Sequence, residues 1–209
     1  TLSDAHTLAE LKAINNATSG TITLNDATVA LSGSSADVAA ALTGITGYSG
    51  AATLSDAHTL AELKAINNAT SGTITLNSYA VALSGSTADV KAALAGTFGN
   101  TYTGNVTIGD ANNTDIQATD ITTINGDTTG TITVTNTIDV NGTAAQVKAA
   151  FDAIDTNTGN ATATLSDAHT LAELKAINNA TSGTITLNDA TVALSGSSAD
   201  VAAALTGIT

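Results

Sequence analysis

Residues 1–46 read TLSDAHTLAELKAINNATSGTITLNDATVALSGSSADVAAALTGIT, and the same string returns unchanged at 164–209. Its opening stretch, 1–25, returns intact at 53–77, and a diverged copy opens at Thr107-Ile108. Copies therefore begin at 1, 53, 107 and 164, a nearly constant step that lengthens slightly along the chain. Self-similarity at such a period outranks other signals, because each repeat is a small unit that buries its apolar face against a neighbour. The expected divisions are 1–52, 53–106, a diverged 107–163, and 164–209. With no initiator Met and a last copy that stops part-way, the chain is expected to be a window of a longer array.

Inside one repeat, Thr1-Leu2 forms a short extended piece. Thr7-Leu8-Ala9-Glu10 has the spacing of a capping box, and Leu8, Leu11 and Ile14 recur at helical spacing before Asn15-Asn16 and Gly20 stop the helix. Thr21-Ile22-Thr23-Leu24 alternates polar and apolar residues and predicts a half-buried strand. Val29-Ala30-Leu31 predicts a third strand, broken by Gly33. Ser34 with Asp37 predicts a second capping box, and Val38, Ala41, Leu42 and Ile45 one apolar helical stripe.

The diverged copy keeps this frame. Its strand is Thr131-Ile132-Thr133-Val134, its cap Thr143 with Gln146, and its stripe Val147, Ala150, Phe151 and Ile154. Gly130 and Gly142 persist, whereas Asp37 becomes Gln146 and Lys12 becomes Thr122. The expectation is an α/β repeat solenoid of stacked β-α-β-β-α units with short parallel strands, since helices between strands favour parallel pairing. The alternative is a row of small separate α/β modules joined at the links near 47–51 and 99–104.

The pattern Leu8-x-x-Leu11-x-x-Ile14, Thr21-Ile22-Thr23-Leu24, Val29-x-Leu31-x-Gly33-Ser34, Ala36-Asp37-Val38 resembles repeats of giant secreted bacterial surface proteins. Such repeats are familiar from cyanobacteria and from secretors of calcium-associated, type I exported proteins. The resemblance covers nearly all of the chain and implies an extracellular, cell-surface or adhesive role. This chain departs from the calcium-binding members in lacking their Gly-Gly-x-Gly-x-Asp nonapeptide.

Five Lys, no Arg and 18 Asp plus Glu give a net charge of −13. That balance argues against nucleic acid and anionic membrane surfaces, which need clustered cations. No run approaches a membrane span. Cysteine is absent, which excludes a disulfide framework and thiolate metal sites.

His6, His58 and His169 occupy one position in three copies, each after Asp-Ala. An Asp4–His6 pair has the residue types for acid-base or metal chemistry. Against that, the diverged copy has no His, so Asp4 is expected to satisfy helix amides and His6 to be a solvated first-turn residue. No Ser-centred or Cys-centred constellation exists, so no catalytic residue and no required cofactor are assigned. Asp110, Asn112 and Thr114 place oxygen ligands at alternate positions, a candidate weak calcium loop. Asp152, Asp155 and Asn157 are a second candidate.

The expected function is a structural repeat protein of the bacterial cell surface, forming an extended rod or a self-assembling extracellular filament. Its expected partner is itself, end to end, because 1–46 and 164–209 are identical. The alternative is an adhesive or glycan-binding module of a giant surface protein, for which two Phe and three Tyr offer few aromatic platforms.

Overall fold

Helix starts follow from the Thr-x-x-Glu spacing. The Thr7 amide donates to the Glu10 carboxylate at 2.8 Å, and the Glu10 amide donates back to Thr7 Oγ1 at 3.3 Å. Two donors that a helix leaves without internal partners are thereby satisfied. Closed boxes of the same kind start helices after Thr59, Thr143 and Thr170. The computed structural model describes residues 1–209.

Eight helices form: α1 (Leu8–Ala17), α2 (Ser35–Leu42), α3 (Leu60–Ala69), α4 (Thr87–Leu94), α5 (Ala118–Asp127), α6 (Ala144–Ala153), α7 (Leu171–Ala180) and α8 (Ser198–Leu205). Eleven short strands lie between them, singly or in pairs. In the first half these are β1 (Leu31–Gly33), β2 (Ala52–Leu54), β3 (Ile74–Thr75), β4 (Leu83–Gly85) and β5 (Val106–Ile108). The rest are β6 (Asp115–Gln117), β7 (Ile132–Val134), β8 (Asp139–Gly142), β9 (Thr156–Asn157), β10 (Thr162–Leu165) and β11 (Ile185–Thr186). They build three sheets, ordered β1-β2-β3, β4-β5-β7-β9 and β11-β10-β8-β6. The chain is α/β with short parallel strands, as the repeat pattern predicts.

Register explains the period. Leu31 lies opposite Ala52, and Ala52 opposite Ile74. The ladder has thus stepped twice before the chain reaches Leu83, the equivalent of Leu31 one copy later. Each repeat therefore contributes two passes of strand and helix. The step is longest in the diverged copy, where Val106 lies opposite Ile132. No helix is long and apolar enough to cross a membrane.

The chain divides into two compact units, one of residues 1–83, 88–105 and 127–130, the other of 84–87, 106–126 and 131–209. In the first, α2 packs between α1 and α3 over sheet β1-β2-β3. Leu11, Val38, Leu63 and Ile66 are fully buried there, each contributing roughly 1.5–3 kcal/mol of transfer free energy. In the second, α7 packs between α6 and α8, and Val147, Ala163, Leu174 and Ile185 are fully buried.

Several local expectations are corrected. The strand expected at 29–31 lies at Leu31–Gly33, so Gly33 belongs to it. A Cβ on Gly33 would collide with the Leu8 side chain, so the glycine lets helix and strand approach. Ile45 is buried with the stripe but lies beyond α2, in a parallel bridge with Ile22. Ile154 is likewise a cap residue after α6. The Ser34–Asp37 box closes on one side only: Ser34 Oγ accepts from the Asp37 amide at 3.1 Å, while the Asp37 carboxylate turns to Lys12.

Candidate functional site

The Asp-Ala-His stretch before each first helix lies where one pass meets the next. Asp56 Oδ1 accepts from the Ser35 amide at 2.7 Å, capping α2 from the following repeat. Asp167 caps α6 in the same way through the Ala144 amide, also at 2.7 Å. Both carboxylates sit where a helix N-terminus favours negative charge. The helix amides that Asp was expected to satisfy thus belong to the preceding repeat, and Ser35 is held further by Glu62 Oε2 at 3.1 Å from its hydroxyl. Backbone and hydroxyl donation from Thr59, with Ser35 assisting, holds the Glu62 carboxyl below the ordinary glutamate range.

His6, expected to be solvated, is only 6 % exposed, and His58 and His169 are as deeply buried. His6 and His58 each face a tyrosine from further along the chain, while His169 is as buried without one. Tyr48 packs on His6 with ring centroids 6.1 Å apart, and Tyr102 packs on His58 at 5.9 Å, both pairs tilted by 54°. The Tyr102 hydroxyl donates to the Val81 carbonyl at 2.6 Å, which uses its one hydrogen. The 3.1 Å contact between His58 Nε2 and Tyr102 Oη therefore has histidine as donor. That assignment leaves Nδ1 bare, and it is buried without a protein partner. Burial holds the His58 pKa below the ordinary histidine value. It also pushes the Tyr48 phenol up to about 12.

The aromatic pair joins the two passes of one repeat. The signal for it is Tyr-x-Gly at each link, Tyr48-Ser49-Gly50 and Tyr102-Thr103-Gly104. A Cβ on Gly104 would collide with the Val81 carbonyl and come within 2.7 Å of the Tyr102 ring, so only glycine fits. Beside it, Thr128 Oγ1 donates to the Gly104 carbonyl at 2.8 Å and accepts from the Gly130 amide at 3.0 Å. Thr70 repeats both bonds with Gly50 and Gly72, at 2.8 and 2.9 Å.

Asn15 and Lys12 act in the same direction. Asn15, expected only to stop its own helix, donates its amide to the Ala40 carbonyl at 2.7 Å, near the end of α2. Asn67 does the same to Ala92 at 2.7 Å, and Asn178 to Ala204 at 3.2 Å. Lys12 pairs with Asp37, Lys64 with Asp89 and Lys175 with Asp200. These helix-end contacts satisfy carbonyls that no intrahelical donor reaches. The arrangement caps, clamps and stacks.

No known family matches this chain. No curated protein matches it either.

Aligned on Thr107-Ile108, the candidate calcium loop is the Asp-Ala-His stretch of the diverged copy, with Asp110 in the aspartate place and Asn112 in the histidine place. Asp110 Oδ2 accepts from the Thr87 amide at 2.7 Å and the Thr87 hydroxyl at 2.6 Å, capping α4 as Asp56 caps α2. Asn112 Oδ1 accepts from the Thr137 amide at 2.9 Å, and the Thr114 carbonyl accepts from Asp139. The Asp110 carboxylate faces the start of α4, whereas Asn112 and Thr114 both meet residues 137–139 by accepting from backbone amides. In the second candidate, Asp152 pairs with Lys148, Asp155 accepts from the Ile132 amide at 2.8 Å, and Asn157 Oδ1 accepts from Ala161 at 3.0 Å. Two acidic positions survive in all four copies: Asp4, Asp56, Asp110 and Asp167, and Glu10, Glu62, Asp120 and Glu173.

Proposed function

We propose that this chain is a structural repeat protein of the bacterial cell surface, whose passes stack as an α/β solenoid into an extended rod or an extracellular filament. The observation that carries this reading is where the well-held polar side chains lie. Asp56, His58, Lys12, Asn15 and Tyr102 each contact a different pass from their own. The parallel registers, from Leu31↔Ala52 to Val106↔Ile132, join successive passes and support continuous stacking. No catalytic role and no required cofactor are proposed. The resemblance noted for the repeat pattern supports the extracellular setting.

An adhesive, glycan-binding role is the second reading, and one observation favours it. Ser32, Thr53 and Thr75 lie side by side across β1, β2 and β3, all exposed. Such a row presents hydroxyls at the inter-strand spacing of about 4.8 Å. Tyr48 and Tyr102, each 1 % exposed, add no platform for sugars.

Negative-stain electron microscopy over a range of protein concentration, paired with a glycan array, separates the two. Rods or filaments with no glycan capture support the structural role. Discrete particles that capture defined glycans replace it with the adhesive one.

A further inference from the structure

Two of the three sheets carry one chemistry on the side away from the core. In β1, β2 and β3 the outward residues are Ser32, Thr53 and Thr75, all exposed and in register. In β5, β7 and β9 they are Thr107, Thr133 and Thr156, again in register, with Ser84 at the matching place on β4. Their neighbours along the strands, among them Leu31, Ala52, Ile74, Val106 and Ile132, are buried. A chain with 18 acidic residues and five lysines thus places no charge at any outward position of these strands.

The hydroxyls of these rows are free. Elsewhere threonine is engaged inside the fold, as where Thr70, Thr128 and Thr181 each donate to a backbone carbonyl. Thr53, Thr75, Thr107, Thr133 and Thr156 make no side-chain hydrogen bond within the chain. Each hydroxyl keeps one donor and two acceptor sites for solvent. A branched Cβ restricts χ1, so hydroxyl and methyl stand in fixed places before any partner arrives.

Spacing and neutrality then select the partner. The rows step by about 4.8 Å from strand to strand, and Thr73 to Thr75, or Thr131 to Thr133, by about 6.7 Å along a strand. Such a rectangular net of hydroxyls and methyls lies close to the oxygen net on a prism face of ice. A sugar site needs a concavity with convergent polar groups or an aromatic platform. The main grooves of this chain lie on its helices instead, beside Lys12, Lys64 and Lys175. The third sheet differs: Asp115 and Asp139 face outward side by side, and Asp139 takes the Thr162 and Thr164 hydroxyls at 2.9 and 2.8 Å.

We propose that the two uncharged sheet faces, the Ser32-Thr53-Thr75 row and the Ser84-Thr107-Thr133-Thr156 row, bind the surface of ice. Water held between the hydroxyls and methyls of each row joins the crystal lattice and fixes the chain to it. The sheet with Asp115 and Asp139 takes no part, because carboxylates hold hydration shells that do not fit the lattice. This goes beyond the structural reading and does not rest on it, and it takes the Ser32-Thr53-Thr75 row away from glycans.

Ice grown slowly on a cold surface in a stirred solution of the chain tests this, with a non-binding protein as reference. The protein content of ice and of remaining liquid is measured, and crystal habit is followed under the microscope. The wild-type chain is expected to enter the ice and to facet its crystals. Thr53→Tyr with Thr133→Tyr sets a ring across each face and should abolish both effects. Gln117→Tyr on β6 and Ala61→Tyr on the exposed side of α3 should leave both intact. Unchanged circular dichroism confirms that the variants fold. Thr53→Ser with Thr133→Ser, which removes two methyls and adds no bulk, should weaken uptake and serves if the tyrosine pair misfolds. A wild-type chain excluded from ice, or a folded tyrosine pair that still enters it, overturns the proposal. A chain excluded from ice that loses glycan capture through Thr53→Tyr also overturns it and returns the row to the adhesive reading.

Discussion

Lys12 on α1 and Asp37 on α2 form an ion pair between helices, and the diverged copy replaces both at once, with Thr122 and Gln146. Asp37 turns to Lys12 and leaves its own capping box half closed, while Gln146, with no lysine opposite, closes its box by accepting from the Thr143 amide at 3.0 Å. The Lys12 ammonium holds the Asp37 carboxyl below the usual aspartate range. Two substitutions that look independent are one exchange of partners.

Lys12→Thr alone is therefore expected to lower Tm slightly, and Lys12→Thr with Asp37→Gln to recover most of the loss. Both partners are about two-fifths exposed, at 41 % and 42 %, so high salt should erase the penalty of the single change. Thermal melts at low and high ionic strength check both points.

His58 makes stability depend on pH. Its folded pKa lies below the unfolded value because burial disfavours the imidazolium, and the bare Nδ1 has no acceptor for a second proton. As pH falls, the unfolded chain takes up the proton first. The contribution is thus full above about pH 6.5 and is lost as pH drops below it. Denaturant midpoints between neutral and mildly acidic pH should fall, and His58→Phe should flatten that decline.

Two glycines should respond in opposite directions. Gly104→Ala drives a methyl into the Val81 carbonyl and the Tyr102 ring and should cost about 1–3 kcal/mol. Gly126 lies inside α5 with open space where a Cβ would stand, so Gly126→Ala should gain about 0.5–1 kcal/mol. Urea titrations of the two variants decide it.

The identical copies permit a paired test. Leu42→Ala, at a fully covered site, should cost about 2–5 kcal/mol. Leu205→Ala, in the same local sequence, should change stability by about 0.5 kcal/mol in dilute solution. Equal losses would show that Leu205 is covered in solution.

Asp110 should behave as a cap. Asp110→Ala is expected to cost about 0.5–2 kcal/mol through the lost Thr87 bonds. The loss should be the same in calcium and in chelator. A larger loss in calcium would restore a cation to this loop.

The helices, the Thr7–Glu10 type of capping box and the α/β class were legible because caps and apolar spacing are local. Leu11, Val38 and Leu42 announce their burial by position within one helix. The joints were not legible, since they link residues far apart in the chain: Asp56 with Ser35 and His58 with Tyr102. His6 looked solvated because a first-turn histidine with polar neighbours shows no reason among adjacent residues to be buried. Tyr48 covers His6 from the far end of the same repeat, and His169 is as buried with no tyrosine on it. Asn15 misled for a similar cause, since asparagine at a helix end satisfies local and remote carbonyls alike.

The aspartate caps impose an order in time. Asp56 closes the start of α2, and Asp167 the start of α6, each from further along the chain. A ribosome releases α2 before the residue that finishes it. During synthesis α2 is therefore unfinished, held from behind by Lys12 and Asn15 and sealed only when Asp56 emerges. Growth of the nascent chain and completion of its fold run one repeat out of step.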